Sequence, residues 1–206
     1  MESIFRRTLD EFRKVLEEKE LAREELLKLT REMRINATKA IACLHAKEFD
    51  KVDEHLKRAL ELMEKIYEFK EKYPDIYYPI TFDAMQELVE AYSFYHVLKH
   101  ENLEIDFSKL KVEIPPILTG LADMAGEIRR YVLDLLRVGE FEKAERLIGL
   151  MEEIYLNLLT FNFPDKLTPN LRPKTDHVRR AIEKTKSDFI SAKVAALEGY
   201  FKKITR

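Results

Sequence analysis

The segment MQELVEAYSFYHVL, residues 85–98, is almost wholly apolar but contains two carboxylates, Glu87 and Glu90. Its apolar residues recur at spacings of three and four, which is the pattern of a helix with a broad buried face. On a helical wheel of about 100° per residue, the two acids share a narrow polar arc with Asp83 and Gln86. Glu87 and Glu90 are surface neighbours on such a helix, and their like charges repel mildly unless a cation joins them. The segment therefore predicts a core helix with one polar edge.

The same apolar spacing continues over most of the 206 residues and predicts an all-α fold. The predicted helices cover residues 4–46, 51–73, 81–100, 115–138, 142–159 and 176–203, with one short helical turn at DFSKL. Pro74 and Pro79 bracket a predicted break, after which Thr81 is the candidate N-cap. Gly139 is predicted to end the fourth long helix. Short connections favour antiparallel neighbours, so we expect one domain, residues 1–206, built as a six- to seven-helix antiparallel bundle.

The composition fits this helical fold and limits the functions available to the chain. Hydrophobic residues make up 46% and charged residues 36%, which suits long helices with charged outer faces. The formal net charge is -2, so any nucleic-acid contact must come from a local basic patch or from a surface built by several subunits. The single cysteine, Cys43, cannot form an internal disulfide. The charged N-terminus and the lack of an apolar run of about 18 residues predict a cytoplasmic protein without a membrane span.

A second pair of acids stands in the segment ILTGLADMAGEIRRYVLDLL, residues 117–136. Asp123 and Glu127 are four residues apart and fall on one polar stripe of the predicted helix. Gly120 and Gly126 flank them, and glycines inside helices often permit the close approach of another helix or of a ligand. Two helices that each present two carboxylates could therefore face one another across a small cleft.

Four carboxylates suit a hard divalent cation such as Mg²⁺ or Mn²⁺, which can activate water for phosphodiester cleavage. Acid pairs at these spacings are also common on solvated helix faces, and the pattern alone favours that simpler interpretation. A di-iron centre would require Glu-x-x-His on two helices, and neither acidic segment contains it. The sequence also contains no Walker motif, zinc-binding spacing or Gly-x-Ser-x-Gly elbow.

Several long segments resemble the translin superfamily, and specifically its translin-associated factor X branch. The most specific are the Gln-Glu-x-Val-Glu-Ala and Ala-Asp-x-x-Gly-Glu runs within the two acidic segments. The resemblance spans nearly the whole chain and is found in LTREMRINATKAIACLH (29–45), MQELVEAYSFYHVLKHENL (85–103), ILTGLADMAGEIRRYVLDLL (117–136), GEFEKAERLIGLMEEIYLNLLTFN (139–162) and NLRPKTDHVRRAIEKTKSDF (170–189).

The resemblance implies a seven-helix fold, assembly into a closed homo-octamer, and binding of single- or double-stranded RNA and some single-stranded DNA. The factor X branch is a Mg²⁺-dependent endoribonuclease, whereas the translin branch lacks the carboxylates and binds without cutting. By motif match, the catalytic and metal-binding acids carry over to Glu87, Glu90 and Asp123, with Glu127 as the fourth member. The leading hypothesis is therefore a Mg²⁺- or Mn²⁺-dependent endoribonuclease. The alternatives are a non-catalytic RNA- or DNA-binding oligomer and a plain helical scaffold.

Arg129 and Arg130 are the candidates for contact with RNA phosphates, because they follow the acidic stripe directly. The competing interpretation is that Arg130 pairs with Glu127 or Asp134 on its own helix. The sequence leaves both interpretations open.

Overall fold

The computed structural model describes the backbone of residues 3–204 and the side chains of residues 3–198. Within these limits the chain forms six long α-helices, one single-turn α-helix and no strand. In chain order they are α1 (Ile4–Ala46), α2 (Phe49–Tyr67), α3 (Phe69–Lys72), α4 (Pro74–His100), α5 (Ile114–Val138), α6 (Phe141–Leu158) and α7 (Leu171–Ile204). A 3-10 helix, Phe107–Leu110, lies between α4 and α5. The all-α fold with six to seven helices is confirmed.

Two helix ends that position the later elements follow from local backbone chemistry. Lys47 has a φ of 60°, and its N–H bonds back to the last turn of α1. Gly139 has a φ of 83° and ends α5 in the same way, in the conformation that favours glycine. Both links are short, so α2 folds back on α1 and α6 folds back on α5. The predicted ends of these helices at residues 46 and 138 are confirmed.

The helices bury two apolar clusters, and α4 contributes to both of them. The first cluster joins the middle of α1 to α2 and to the first half of α4; its members include Leu26, Met33, Leu62, Ile66, Tyr77, Met85 and Leu88. The second joins the end of α1 and the second half of α4 to α5, α6 and α7; its members include Leu44, Phe94, Met124, Ile128, Val132, Met151 and Ile182. No described helix is both long and apolar enough to cross a membrane.

The predicted break between Pro74 and Pro79 is wrong, because α4 begins at Pro74 and continues through Pro79. Proline is tolerated at the first helical position, where its missing N–H would have no partner. Pro79 removes one internal hydrogen bond, but both it and Asp75 are exposed, so water can satisfy the carbonyl that loses its partner. Tyr77 is fully buried and ties this turn to the core. Thr81 is not an N-cap, and its hydroxyl donates to the Tyr77 carbonyl oxygen at 2.8 Å.

Two other predicted boundaries also differ from the structure. The second predicted helix, 51–73, is divided at Glu68 into α2 and α3. The last helix begins at Leu171, five residues earlier than predicted, with Pro173 in its first turn. A proline there is compatible with a helix, because the first-turn N–H groups have no partners within the helix. Because α7 begins at Leu171, Lys174 lies in its first turn, and its side chain contributes to the site described below.

Candidate functional site

The site is built where α4 crosses α5, and Gly120 sets how closely the two helices approach. A Cβ atom at Gly120 would lie 2.6 Å from the Gln86 carbonyl oxygen and 2.8 Å from Val89 Cβ. Only a glycine therefore allows the α5 backbone to rest directly on α4 here. Gly126 differs, because a Cβ there would meet nothing within 4 Å. Gly120 is thus required for packing, whereas Gly126 lines open space beside the site.

The crossing brings the four predicted acids together. Glu87 and Glu90 come from α4, and Asp123 and Glu127 come from α5. The other three carboxylates are all close enough to Glu90 for their charges to act on it. All four side chains are partly buried, so water screens these interactions incompletely. Two pairs that are distant in the sequence therefore form one acidic group.

Glu90 is the most perturbed member of this group. Burial raises the pKa of Glu90 from its ordinary value of 4.5 to about 8, and the charges of Asp123, Glu127 and Glu87 add to the rise. The Lys174 charge acts in the opposite direction. At neutral pH the Glu90 carboxyl therefore holds its proton most of the time, and an added cation would favour its ionised form.

Asp123 is held by two side chains from other parts of the chain. Lys174 Nζ, from the first turn of α7, lies 2.6 Å from each of the two Asp123 carboxylate oxygens. The Gln86 side-chain amide donates to Oδ2 of Asp123 at 2.7 Å. Lys174 was not among the predicted site residues, because 51 residues separate it from Asp123 and only the packing of α7 on α5 brings them together.

Glu127 and Glu87 are held by residues of α1. His45 Nε2 lies 2.5 Å from Glu127 Oε2, and only 7% of the His45 side chain is exposed. Thr38 donates its hydroxyl to Glu87 Oε2 at 3.3 Å, and Arg34 Nε lies 3.5 Å from Glu87 Oε1. In the sequence, His45 resembled an isolated surface histidine. The local signal that it faces inward is apolar Ile41 four residues earlier, which is buried and shares its helix face.

Two open pockets flank the acidic group. One, of about 560 Å³, lies between α5 and the start of α7; it is lined by Glu90, Ala122, Asp123, Gly126, Asn170, Pro173, Lys174 and His177. The other, of about 460 Å³, lies between α1 and α4; it is lined by Glu24, Leu27, Lys28, Thr30, Arg31, Arg34, Ile80, Asp83 and Ala84. Lys28, Arg31 and Arg34 line the second pocket and follow one another along α1. Arg34 also pairs with Glu87, which connects this basic stretch to the acidic group.

The two arginines that were predicted to contact RNA differ in their surroundings. Arg129 is only 17% exposed and donates to Thr185 Oγ1 and Asp188 Oδ2 at 2.8 Å, which ties α5 to α7. Arg130 is 65% exposed, and its NH1 lies 3.9 Å from Glu127 Oε2. Arg130 therefore pairs with Glu127 on its own helix but stays exposed enough to reach a ligand, whereas Arg129 is engaged within the fold.

The chemistry of the acidic group fits a hard divalent cation, although its present arrangement is not that of a metal site. Within the described part of the chain, no three His, Cys, Asp or Glu side chains are placed to hold one metal ion. Carboxylate oxygens are nevertheless the ligands that Mg²⁺ and Mn²⁺ prefer. Burial is the main cause of the raised Glu90 pKa, and a cation would offset the smaller contribution from the neighbouring negative charges. Lys174 at present contacts both oxygens of Asp123, the side of that carboxylate on which a cation could also bind.

The model of the translin family matches residues 21–189 of the chain. The chain belongs to the translin family. This translin-family protein is 34% identical over 179 residues to the protein MJ0175 of Methanocaldococcus jannaschii, across 85% of this chain and 78% of that one. The family membership inferred from the acidic segments is therefore confirmed.

Solved structures share the fold of this translin-family protein. The crystal structure of AfC3PO is 50% identical, has a TM-score of 0.87, and is matched over 92% of this chain and 99% of that one. The structure of AfC3PO in complex with duplex RNA matches with the same identity and TM-score, over 92% and 98% of the two chains. The apo structure of NeC3PO is 26% identical, has a TM-score of 0.81, and is matched over 89% and 96%.

Proposed function

We propose that this protein is a metal-dependent endoribonuclease that cuts RNA inside a homo-oligomeric shell. The observation that carries the proposal is the convergence of four carboxylates from α4 and α5, among which Glu90 has a pKa of about 8. AfC3PO, which is 50% identical to this chain, has been solved in complex with duplex RNA. That relationship supports RNA as the ligand of the present protein.

In this proposal, Glu87, Glu90 and Asp123 hold Mg²⁺ or Mn²⁺, and Glu127 completes the ligand set or orients the attacking water. When bound, the divalent cation would supply charge stabilisation at the scissile phosphate and would favour deprotonation of the attacking water. His45 fixes the direction of the Glu127 carboxylate through their 2.5 Å contact. Since His45 is nearly buried, it holds this direction before any substrate arrives.

RNA phosphates would be contacted by the basic side chains beside the acids. We assign this role to Arg130 and to the basic stretch of α1, Lys28, Arg31 and Arg34, all of which are exposed. Arg129 is instead assigned to the fold, because Asp188 already pairs with it. Contacts of this kind make RNA affinity fall as salt increases. A gel-shift series over salt concentration measures that dependence, and a flat response would exclude this surface.

A homo-oligomer, which we propose to be a cytoplasmic octamer, is supported by exposed apolar stripes on two long helices. At the start of α1 the exposed residues include Phe5, Leu9, Phe12 and Leu16. Towards the end of α7 they include Ile190, Val194 and Leu197. The spacing places each set on one helix face, and such faces in a soluble protein commonly mark interaction surfaces.

The substitution Asp123→Ala tests the nuclease assignment. It removes a proposed metal ligand at the centre of the acidic group, so we expect RNA cleavage in Mg²⁺ to fall by at least about 100-fold, while the oligomeric mass stays unchanged. Asp134→Ala is the matched control, because Asp134 is an exposed aspartate further along α5. Cleavage at the parental rate by Asp123→Ala would overturn the assignment.

A second candidate function is binding of RNA or single-stranded DNA without cleavage. The observation that favours it is that three of the four acids already have basic partners in Lys174, His45 and Arg34. Chelation with EDTA separates the two functions. Loss of cleavage with retained RNA binding supports the nuclease, whereas RNA binding with no cleavage in Mg²⁺ or Mn²⁺ supports the binding protein.

A further inference from the structure

We propose that the Lys174 ammonium group occupies the cation position beside Asp123 in the metal-free protein, and that a divalent cation must displace it before RNA is cut. This inference rests on the metal-dependent function proposed above. Lys174 Nζ lies 2.6 Å from each oxygen of the Asp123 carboxylate. It therefore uses both oxygens that a metal ion would need, and the two cations cannot hold Asp123 in the same way at once.

The surroundings of the pair make this competition strong. The side chains of Lys174 and Asp123 are 26% and 28% exposed, so solvent screens their attraction only in part. The neighbouring carboxylates Glu87 and Glu127 add negative charge to the same acidic group. The ammonium group thus offsets part of the charge that a divalent cation would neutralise.

The displaced Lys174 side chain can move within the pocket that it already lines. Lys174 lines the pocket of about 560 Å³, together with Asn170, Pro173 and His177 from the start of α7. Among the described residues of that lining, Glu90 and Asp123 are the acids, and both would be occupied by the metal. Lysine is a flexible point charge that commonly binds phosphate. Lys174 would therefore exchange a carboxylate partner for a phosphate of the RNA when the metal binds.

The substitution Lys174→Met, which removes the charge but keeps a long side chain, tests the displacement. We measure the Kd for Mn²⁺ from the electron paramagnetic resonance signal of free Mn²⁺, with the full chain at neutral pH. The Kd should fall by about ten- to a hundredfold, the scale on which partners of metal ligands usually act. At saturating Mn²⁺ the same variant should show a higher KM for RNA, because the phosphate contact is lost. A residue that merely stabilised the fold would not produce tighter metal binding together with weaker substrate binding.

Variants at Lys174 and Arg130 serve as controls for this test. Lys174→Arg keeps the charge and should retain nearly the parental Kd and KM. Lys174→Gln also removes the charge and should reproduce the changes in Kd and KM if Lys174→Met fails to fold. Arg130→Met removes a cation that faces Glu127 at 3.9 Å rather than Asp123, and it should change the Mn²⁺ affinity much less. Equal gains in affinity from Arg130→Met and Lys174→Met would overturn the inference, since both would then reflect general charge.

Asp123→Asn separates failure of this inference from failure of the proposed function. If the parent binds Mn²⁺, Asp123→Asn does not, and Lys174→Met matches the parent, the metal site stands and the displacement by Lys174 is wrong. If the parent, Lys174→Met and Asp123→Asn all fail to bind Mn²⁺ at millimolar concentration, the metal-dependent function is itself wrong, and the inference is overturned with it.

Discussion

Glu90 couples the stability of the protein to pH through its raised pKa. Its pKa in the folded protein is about 8, whereas the ordinary value is 4.5. Between these pH values an unfolded chain has released the Glu90 proton and the folded chain has kept it. Unfolding therefore releases a proton, and the free energy of unfolding falls as pH rises through this window. Below pH 4.5 and well above pH 8 the contribution of Glu90 no longer changes with pH.

The substitution Glu90→Gln removes this pH dependence. We expect the stability gained by the variant over the parent to grow from about pH 5 to pH 8 and then to level off. The two pKa values set an upper limit of about 5 kcal/mol for the gain. Urea unfolding in EDTA, at one protein concentration and several pH values, measures the difference. Glu104→Gln, at an exposed site, controls for loss of charge alone; a pH-independent gain for Glu90→Gln would contradict the explanation.

At the scale of single residues, the sequence revealed the acids but not the groups that hold them. Glu87, Glu90, Asp123 and Glu127 share polar stripes, so periodicity placed them on the right faces, and the family resemblance indicated that the two faces meet. Lys174 could not be found in this way, because its contact depends on how α7 packs on α5 and on a helix start five residues before the predicted one.

At the scale of helices, predictions succeeded where one local signal decided the structure and failed where packing decided it. Gly139 ended α5 as expected, because its left-handed conformation strongly favours glycine. Pro79 indicated a break, but the burial of Tyr77 in the core holds this part of the chain as a helix. The loss of one exposed hydrogen bond at Pro79 was thus outweighed by tertiary packing, which sequence signals near the proline do not report.

Where α4 crosses α5, even the methyl group of an alanine in place of Gly120 has no room. Gly120→Ala places a methyl group 2.6 Å from a backbone oxygen. Overpacking of this kind costs about 1–3 kcal/mol, and better helix propensity returns only about 1 kcal/mol. We expect a net loss of up to about 2 kcal/mol in the free energy of unfolding, measured by urea titration.

Gly149 in α6 provides the matched control for this prediction. A Cβ there meets nothing within 4 Å, so Gly149→Ala should stabilise the protein by up to about 1 kcal/mol through helix propensity alone. The two Gly→Ala changes should therefore have opposite signs. A Gly120→Ala variant that unfolds at the same urea concentration as Gly149→Ala would show that the crossing can relax freely.

At the scale of the whole molecule, the first turns of α1 extend an apolar stripe that the monomer does not cover. Phe12 is 59% exposed on this stripe. Phe12→Glu would bury an unpaired charge in any assembly that uses the stripe, at a cost of about 3–5 kcal/mol. We expect light scattering after size exclusion to show a smaller oligomer, with helix content by circular dichroism unchanged.

Lys14→Glu is the control for Phe12→Glu, because it adds an acid to the same exposed helix about 200° around the helical wheel. It should leave the oligomeric mass as it is in the parent. Unchanged mass in both variants would show that the start of α1 lies outside the subunit interface.

Gly120 packs closely against Val89, so the contacts that hold the site together differ from the residues that give it its chemistry. Backbone approach and apolar packing hold α4 against α5, while the four acids lie on the polar edge of that crossing. The acidic group opposes the fold at Glu90, because burial first and the neighbouring negative charges second raise the pKa of this carboxyl. After a gene duplication, selection for stability alone would therefore tend to erase the acids in one copy. That copy would keep the architecture and the basic surface without the four carboxylates.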